Sequence, residues 1–223
     1  MRENFTHLMY FAIPLLGISI IFSKPALFAL NPAYSGATLV VVMLASRTFL
    51  YVITGILYQI LLGMETTDVE QNPKYSSLAK SKLIIIPTIN NIHYSLYIVA
   101  FIIMLFILNS YGASELELVT WWSTVSFILQ IPFLIYAWIL VQKNIKFSIP
   151  YESILKYTVA TISLAIVFFL TSESIVNYEP SIYNFLPSLI LQLGICIGVY
   201  LLITYVIDKK TRMLIKSILS EFK

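Results

Sequence analysis

Leu83–Leu108 reads LIIIPTINNIHYSLYIVAFIIMLFIL. Wound as a helix it is apolar on nearly every side, and it is long enough to cross a hydrocarbon core about 30 Å thick, which takes roughly 20 helical residues. A membrane β-strand would be about 9–11 residues long and alternate in polarity. No such alternation runs through this stretch. Working outward, five more apolar spans stand at 8–30, 38–63, 119–141, 154–172 and 185–207, beside the span at 83–108. The chain is therefore expected to be all-α: a polytopic transmembrane bundle of about six helices over 1–207, followed by a basic amphipathic tail, 208–223.

Composition leads to the same class. Of 223 residues, 59% are hydrophobic and 11% charged, and mean hydropathy is +0.86. Globular chains run at about 45–50% apolar and about 25% charged, so the excess must face lipid and a soluble enzyme is excluded. The net charge of +3 gives no ground for a nucleic-acid partner, because the basic residues flank the spans and form no single patch. Cys196 has no second cysteine to pair with. With only His7 and His93 besides, no metal centre and no cofactor is implied. There is no nucleophile paired with a base, no glycine-rich phosphate loop and no carboxylate pair, so no enzyme is expected.

The basic residues orient the bundle. Arg2; Lys74, Lys80 and Lys82; Lys143, Lys146 and Lys156; and Lys209, Lys210, Arg212, Lys216 and Lys223 all fall on one side of a six-span thread, against Lys24 alone on the other. Positive residues resist translocation, so both termini are expected in the cytoplasm. Glu115, Glu117, Glu173 and Glu179 then lie outside. Trp121, Trp122 and Trp138 suit interfacial anchors. The first span is expected to be a retained helix and not a cleaved signal, because no small-x-small site follows it and Ala26–Leu30 continue the apolar run. Met213, Leu214, Ile218, Leu219 and Phe222 recur near helical spacing beside the basic residues of the tail, which suits a helix lying on the lipid surface. A frayed basic tail is the alternative.

Few residues inside the spans carry chemistry. Arg47 lies more than two turns from either polar edge of its span, where insertion of a guanidinium costs roughly 2.5–3.5 kcal/mol. Its fork of donors matches phosphate oxygens, so it is the candidate binding group for an anionic head group. Bonding to carbonyls freed at a kink is the alternative. Asn90 and Asn91 are candidate cavity-lining residues. Gln59, Asn90, Asn91, His93, Gln130 and Gln192 can line a wet path or tie helices together, and bonding between helices is the expectation for each, with His93 a satisfied core histidine and not a proton relay. Pro14, Pro87, Pro132 and Pro187 each remove a backbone bond from a different span. Gly194 and Gly198 are expected to give a close-packed face. Asp and Glu are confined to loops, so no coupling residue for ion-driven transport is visible.

Several stretches together resemble a known family. The Pro14 helix runs through Pro25 to Asn31-Pro32-Ala33-Tyr34 and Ala37. The next span ends at Gln59, Leu61, Leu62 and Gly63. Asn90-Asn91 open a helix closed by Tyr111-Gly112-Ala113, and Ile149-Pro150 precede Lys156-Tyr157 and Ala160. Asp208-Lys209-Lys210 with Arg212 follow the last span. The chain resembles the C-terminal part of a polysaccharide-biosynthesis flippase of the multidrug/oligosaccharidyl-lipid/polysaccharide exporter superfamily. Asn31, where the family prefers Gly, and Ser114-Glu115, where small residues are usual, depart from the pattern. The resemblance implies a multi-pass protein of the cell (inner) membrane that moves a lipid-linked sugar, with Arg47, Asn90 and Asn91 lining the cavity. It also implies membrane lipid as surroundings and, since such transporters rock one lobe against another, either a truncated product or half of a split transporter whose N-terminal lobe a second chain supplies. A non-transporting accessory or assembly subunit is the rival reading.

Overall fold

The computed structural model describes residues 2–65, 81–145, 148–176, 178–179 and 181–213. Its helices are α1 (Arg2–Ile21), α2 (Ser23–Leu30), a 3-10 turn (Pro32–Ala37), α3 (Thr38–Leu62), α4 (Lys82–Ser110), α5 (Glu115–Asn144), α6 (Tyr151–Ile175) and α7 (Ile182–Ile207). Residues 209–213 are helical too. No strand occurs among the described residues, and six of the helices are long and apolar enough to cross a membrane. The expectations for Lys74, Lys80, Lys146 and the tail beyond residue 213 lie outside the described residues.

One span differs from the sequence reading. The expected single helix over 8–30 begins already at Arg2 and is interrupted at Phe22. Pro25 is the reason: it has no N–H for the Ile21 carbonyl and its ring crowds that carbonyl, while the Ser23 hydroxyl turns back to donate to the Ile20 carbonyl at 2.6 Å. The part long and apolar enough to cross a membrane is Glu3–Ile21, and α2 is a separate eight-residue helix.

The ends of the helices follow from local chemistry. Gly112 takes a φ of +68°, a left-handed conformation that glycine adopts without a Cβ clash. It closes α4 with Ala113 N–H donating to the Leu108 carbonyl and Gly112 N–H to that of Asn109, the paired C-terminal bonds of a Schellman turn. Two residues later Ser114 opens α5 with a capping box: its N–H donates to the Glu117 carboxylate at 2.8 Å and its Oγ accepts from Glu117 N–H. The departure at Ser114-Glu115 is thus a helix start. Asn31 has φ −165°, an extended conformation that needs no glycine, and its side chain accepts from Ala33 N–H at 2.9 Å. Glu65 accepts from the Lys82 N–H at 2.7 Å, which satisfies one orphan donor at the start of α4.

The residues cluster into two compact bodies, one comprising Leu39–Ser148 and the other Arg2–Thr38 with Ile149–Lys223. The first holds α3, α4 and α5. On α5 the buried positions are Ser123, Ser126, Gln130, Ala137 and Val141, small or polar side chains at helical spacing, whereas Ile128, Ile135 and Ile139 are exposed. α4 likewise exposes Ile98, Ile102, Ile103 and Phe106. A water-soluble helix would bury the second kind of residue; a helix in lipid gains nothing by doing so and associates through small and hydrogen-bonding side chains.

The second body holds α1, α2, α6 and α7, with α6 packed against both α1 and α7. Gly17 is where α1 meets α6: a Cβ there would lie 2.2 Å from Thr161 Cγ2. Gly194 and Gly198, expected to provide the tight contact, have open space where a Cβ would go. The cause is the register of α7, which turns Phe185, Leu189, Gln192, Cys196, Tyr200 and Thr204 inward and so carries Gly194 to the outer face.

Candidate functional site

Arg47 lies on α3, about 14 Å along the axis from Thr38 and about 22 Å from Leu62 at 1.5 Å per residue. It is half-buried. Its guanidinium carbon stands 5.8 Å from the centroid of the Tyr97 ring on α4, and the Tyr97 hydroxyl accepts from the Trp122 indole N–H on α5. One cation therefore sits over a tyrosine of α4 that a tryptophan of α5 holds by a hydrogen bond. Its Nε is buried without a hydrogen-bond partner. Among the described residues no carboxylate lies in α3 or α4, and those of α5 are confined to its first turn. The charge is met by the face of the Tyr97 ring, which leaves donors of the fork available to an anion.

The candidate partners separate. Asn90 is half-buried and shares a stripe of α4 with Tyr94 and Tyr97, at spacings of four and three residues. Asn91 is exposed and off that stripe. His93 is buried against the Phe133 ring, centroids 4.2 Å apart, which suits a packed core histidine. Gln130 acts as expected between helices: its Nε2 donates to the Thr54 hydroxyl at 3.2 Å, and that hydroxyl donates to the Leu50 carbonyl in turn. Its Oε1 is buried with no partner, as is the Tyr58 hydroxyl. Arg47, Tyr51, Thr54 and Tyr58 recur at steps of four, three and four residues, so the polar groups of α3 form one face. No search of known protein families, curated proteins or solved structures finds a match for this chain.

The second body has a polar node that sequence reasoning missed. Asp208, expected in the tail, is buried at the end of α7 with 3% of its surface exposed. It accepts from the Tyr157 hydroxyl at 3.1 Å, from Thr211 N–H at 3.1 Å and from the Thr211 hydroxyl at 2.8 Å, and Lys156 Nζ lies 3.9 Å away. Burial alone would raise its pKa, but these bonds and the lysine outweigh burial and hold the carboxyl below its usual range. The missed signal is the pairing of Asp208 with Thr211, an N-cap residue and its third successor, directly after an apolar span. Tyr10, Tyr157 and Tyr200 cluster nearby, with ring centroids 5.3 Å and 5.6 Å from Tyr10. Glutamine and hydroxyl pair again at Gln192, whose Nε2 donates to the Thr171 hydroxyl at 2.7 Å.

Proposed function

We propose that this chain is a lobe of a flippase or exporter of lipid-linked polysaccharide precursors in the cell (inner) membrane, with both termini in the cytoplasm, working with a second lobe. Arg47 engages the phosphate of the polyprenyl-linked sugar, and Asn90, on the same stripe as Tyr94 and Tyr97, contributes hydrogen bonds from the wall. The chain moves its substrate without altering it. The observation that carries this reading is the half-buried Arg47 guanidinium, set mid-helix beside Tyr97 with Nε unpartnered. A cation at that depth is costly unless it has work to do. In the native host, deletion should accumulate polyprenyl-diphosphate-linked sugar in the inner leaflet. Wild-type chain should restore export and Arg47→Ala, at equal abundance, should not. No accumulation on deletion would refute the reading.

A second reading, a non-transporting accessory or assembly subunit, draws on the Gln130–Thr54 and Gln192–Thr171 bonds, which tie helices together and need no substrate. Full restoration of export by Arg47→Ala would favour it.

A further inference from the structure

We propose that the second body binds one anionic phospholipid, an acyl chain lying in a groove between α1 and α7 and the phosphate held by Arg212 at the groove's end. α1 and α7 both pack on α6 and are joined to each other at Tyr10 and Tyr200, where the Tyr200 hydroxyl donates to the Tyr10 carbonyl at 2.6 Å. Beyond that tie they leave a groove of about 200 Å³, lined by Tyr10, Pro14, Leu15, Ile18, Ile197 and Leu201 among others, with no polar atom facing it. From Tyr10 to Ile18 it runs for about 12 Å along α1. An apolar slot on a helix pair of a membrane bundle suits a hydrocarbon chain.

The head group is specified by charge. Ile197, Leu201 and Tyr205 follow one another at steps of four on α7, so the stripe that lines the groove continues to Tyr205. Arg212 folds back over that residue: its guanidinium carbon is 5.4 Å from the Tyr205 ring centroid. Its Nε donates to the Tyr205 carbonyl at 3.2 Å and its Nη2 to that of Val206 at 3.1 Å. Those two bonds fix the fork and leave the other donors of the guanidinium free. Lys209 and Lys210 are exposed beside it. Of the acids described at this end, Asp208 is buried and already occupied by Tyr157 and Thr211, and Glu152 is paired with Lys156 at 2.6 Å, so neither is free to neutralise Arg212. An apolar groove leading toward a pre-oriented guanidinium matches part of an acyl chain below a head group of net negative charge and disfavours a zwitterionic one, whose ammonium would meet three cations.

The test is native mass spectrometry of the full-length protein released from nanodiscs containing equal phosphatidylglycerol and phosphatidylcholine, with thermal unfolding in detergent plus either lipid. One phosphatidylglycerol per chain should be retained, at least fivefold over phosphatidylcholine, and it alone should raise the melting temperature. Arg212→Gln should remove the lipid preference, and Ile197→Trp, which fills the groove, should remove retention of either lipid. Because the wild-type lipid comparison needs no variant, a poorly folding substitution leaves the test intact. Equal retention of the two lipids would overturn the proposal. So would stabilisation by millimolar inorganic phosphate equal to that by phosphatidylglycerol, which would mark a free-anion site, or retention unchanged in both well-folded variants.

Discussion

The Tyr200 hydroxyl donates a 2.6 Å hydrogen bond to the backbone carbonyl of Tyr10, the carbonyl that Pro14, four residues on, cannot satisfy because it has no N–H. A proline in α1 is thus completed by a side chain of α7. In lipid a freed carbonyl finds no water, so neighbouring helices must supply its donor.

Tyr200→Phe should therefore destabilise the chain by about 1–2 kcal/mol, within the range for leaving a buried acceptor unpaired. Pro14→Ala returns an N–H to that carbonyl, so Tyr200→Phe in the Pro14→Ala background should lose much less. Thermal or chemical unfolding of the four members of this cycle measures the coupling. Strictly additive effects would show that Tyr200 does not answer Pro14.

The packing of α1 on α6 depends on Gly17. An alanine Cβ would lie 2.2 Å from Thr161 Cγ2, and Thr161 is held in its rotamer by donating to the Tyr157 carbonyl at 2.9 Å. Overpacking typically costs about 1–3 kcal/mol. Gly17→Ala should cost that much in unfolding experiments, and Thr161→Ser, which deletes the clashing methyl and keeps the hydroxyl, should recover most of it. Gly194→Ala, with open space around it, should be tolerated.

Six helices were legible because each is a long apolar run whose charges, Arg47 apart, lie at or near its ends, and lipid imposes that pattern on crossing segments. The inner faces were less legible. In a membrane both faces of α5 are apolar enough to insert, so hydropathy does not tell the Ser123–Ser126–Gln130 face from the Ile128–Ile135–Ile139 face; Ser and Gln positions do, once read at helical spacing. Gly194 and Gly198 misled because small-xxx-small spacing names a face that could pack closely, while the register of α7 decides which face does. Arg47 stood out by its desolvation cost alone, but Tyr97, an ordinary aromatic in the sequence, and Trp122, expected as an interfacial anchor, became its setting only through the packing of three helices. Asp208 was hidden by lying one residue past an apolar span.

Asp208 should make stability depend on acid. Its pKa is lowered in the folded chain, so near the ordinary carboxylate range, about 3.9, the unfolded chain binds more protons than the folded one. Its contribution is then full above that range and disappears as pH falls through the folded-state value. Asp208→Asn should be less stable than wild type at pH about 6, and the difference should shrink toward pH about 3. A difference constant over that interval, measured by denaturant unfolding, would mean that the charge of Asp208 contributes nothing.

Orientation can be read at the two ends of α5. On a Cys196→Ala background, single cysteines at the exposed positions Glu115 and Lys143 should differ in intact cells. An impermeant thiol reagent should modify the first and spare the second, because basic residues gather on the side of Lys143. The reverse pattern would place both termini outside.

The central claim is that Arg47 gives this membrane bundle an anion-binding group, and affinity measured in nanodiscs tests it most directly. Polyprenyl diphosphate and neutral polyprenol should be titrated against wild-type, Arg47→Lys and Arg47→Ala chains of matched abundance and stability. The account predicts at least about tenfold weaker diphosphate binding for Arg47→Ala, or about 1.4 kcal/mol. Arg47→Lys should fall between, since lysine keeps the charge and loses the fork, and polyprenol binding should not change. Equal diphosphate affinity in wild-type and Arg47→Ala chains would contradict the claim.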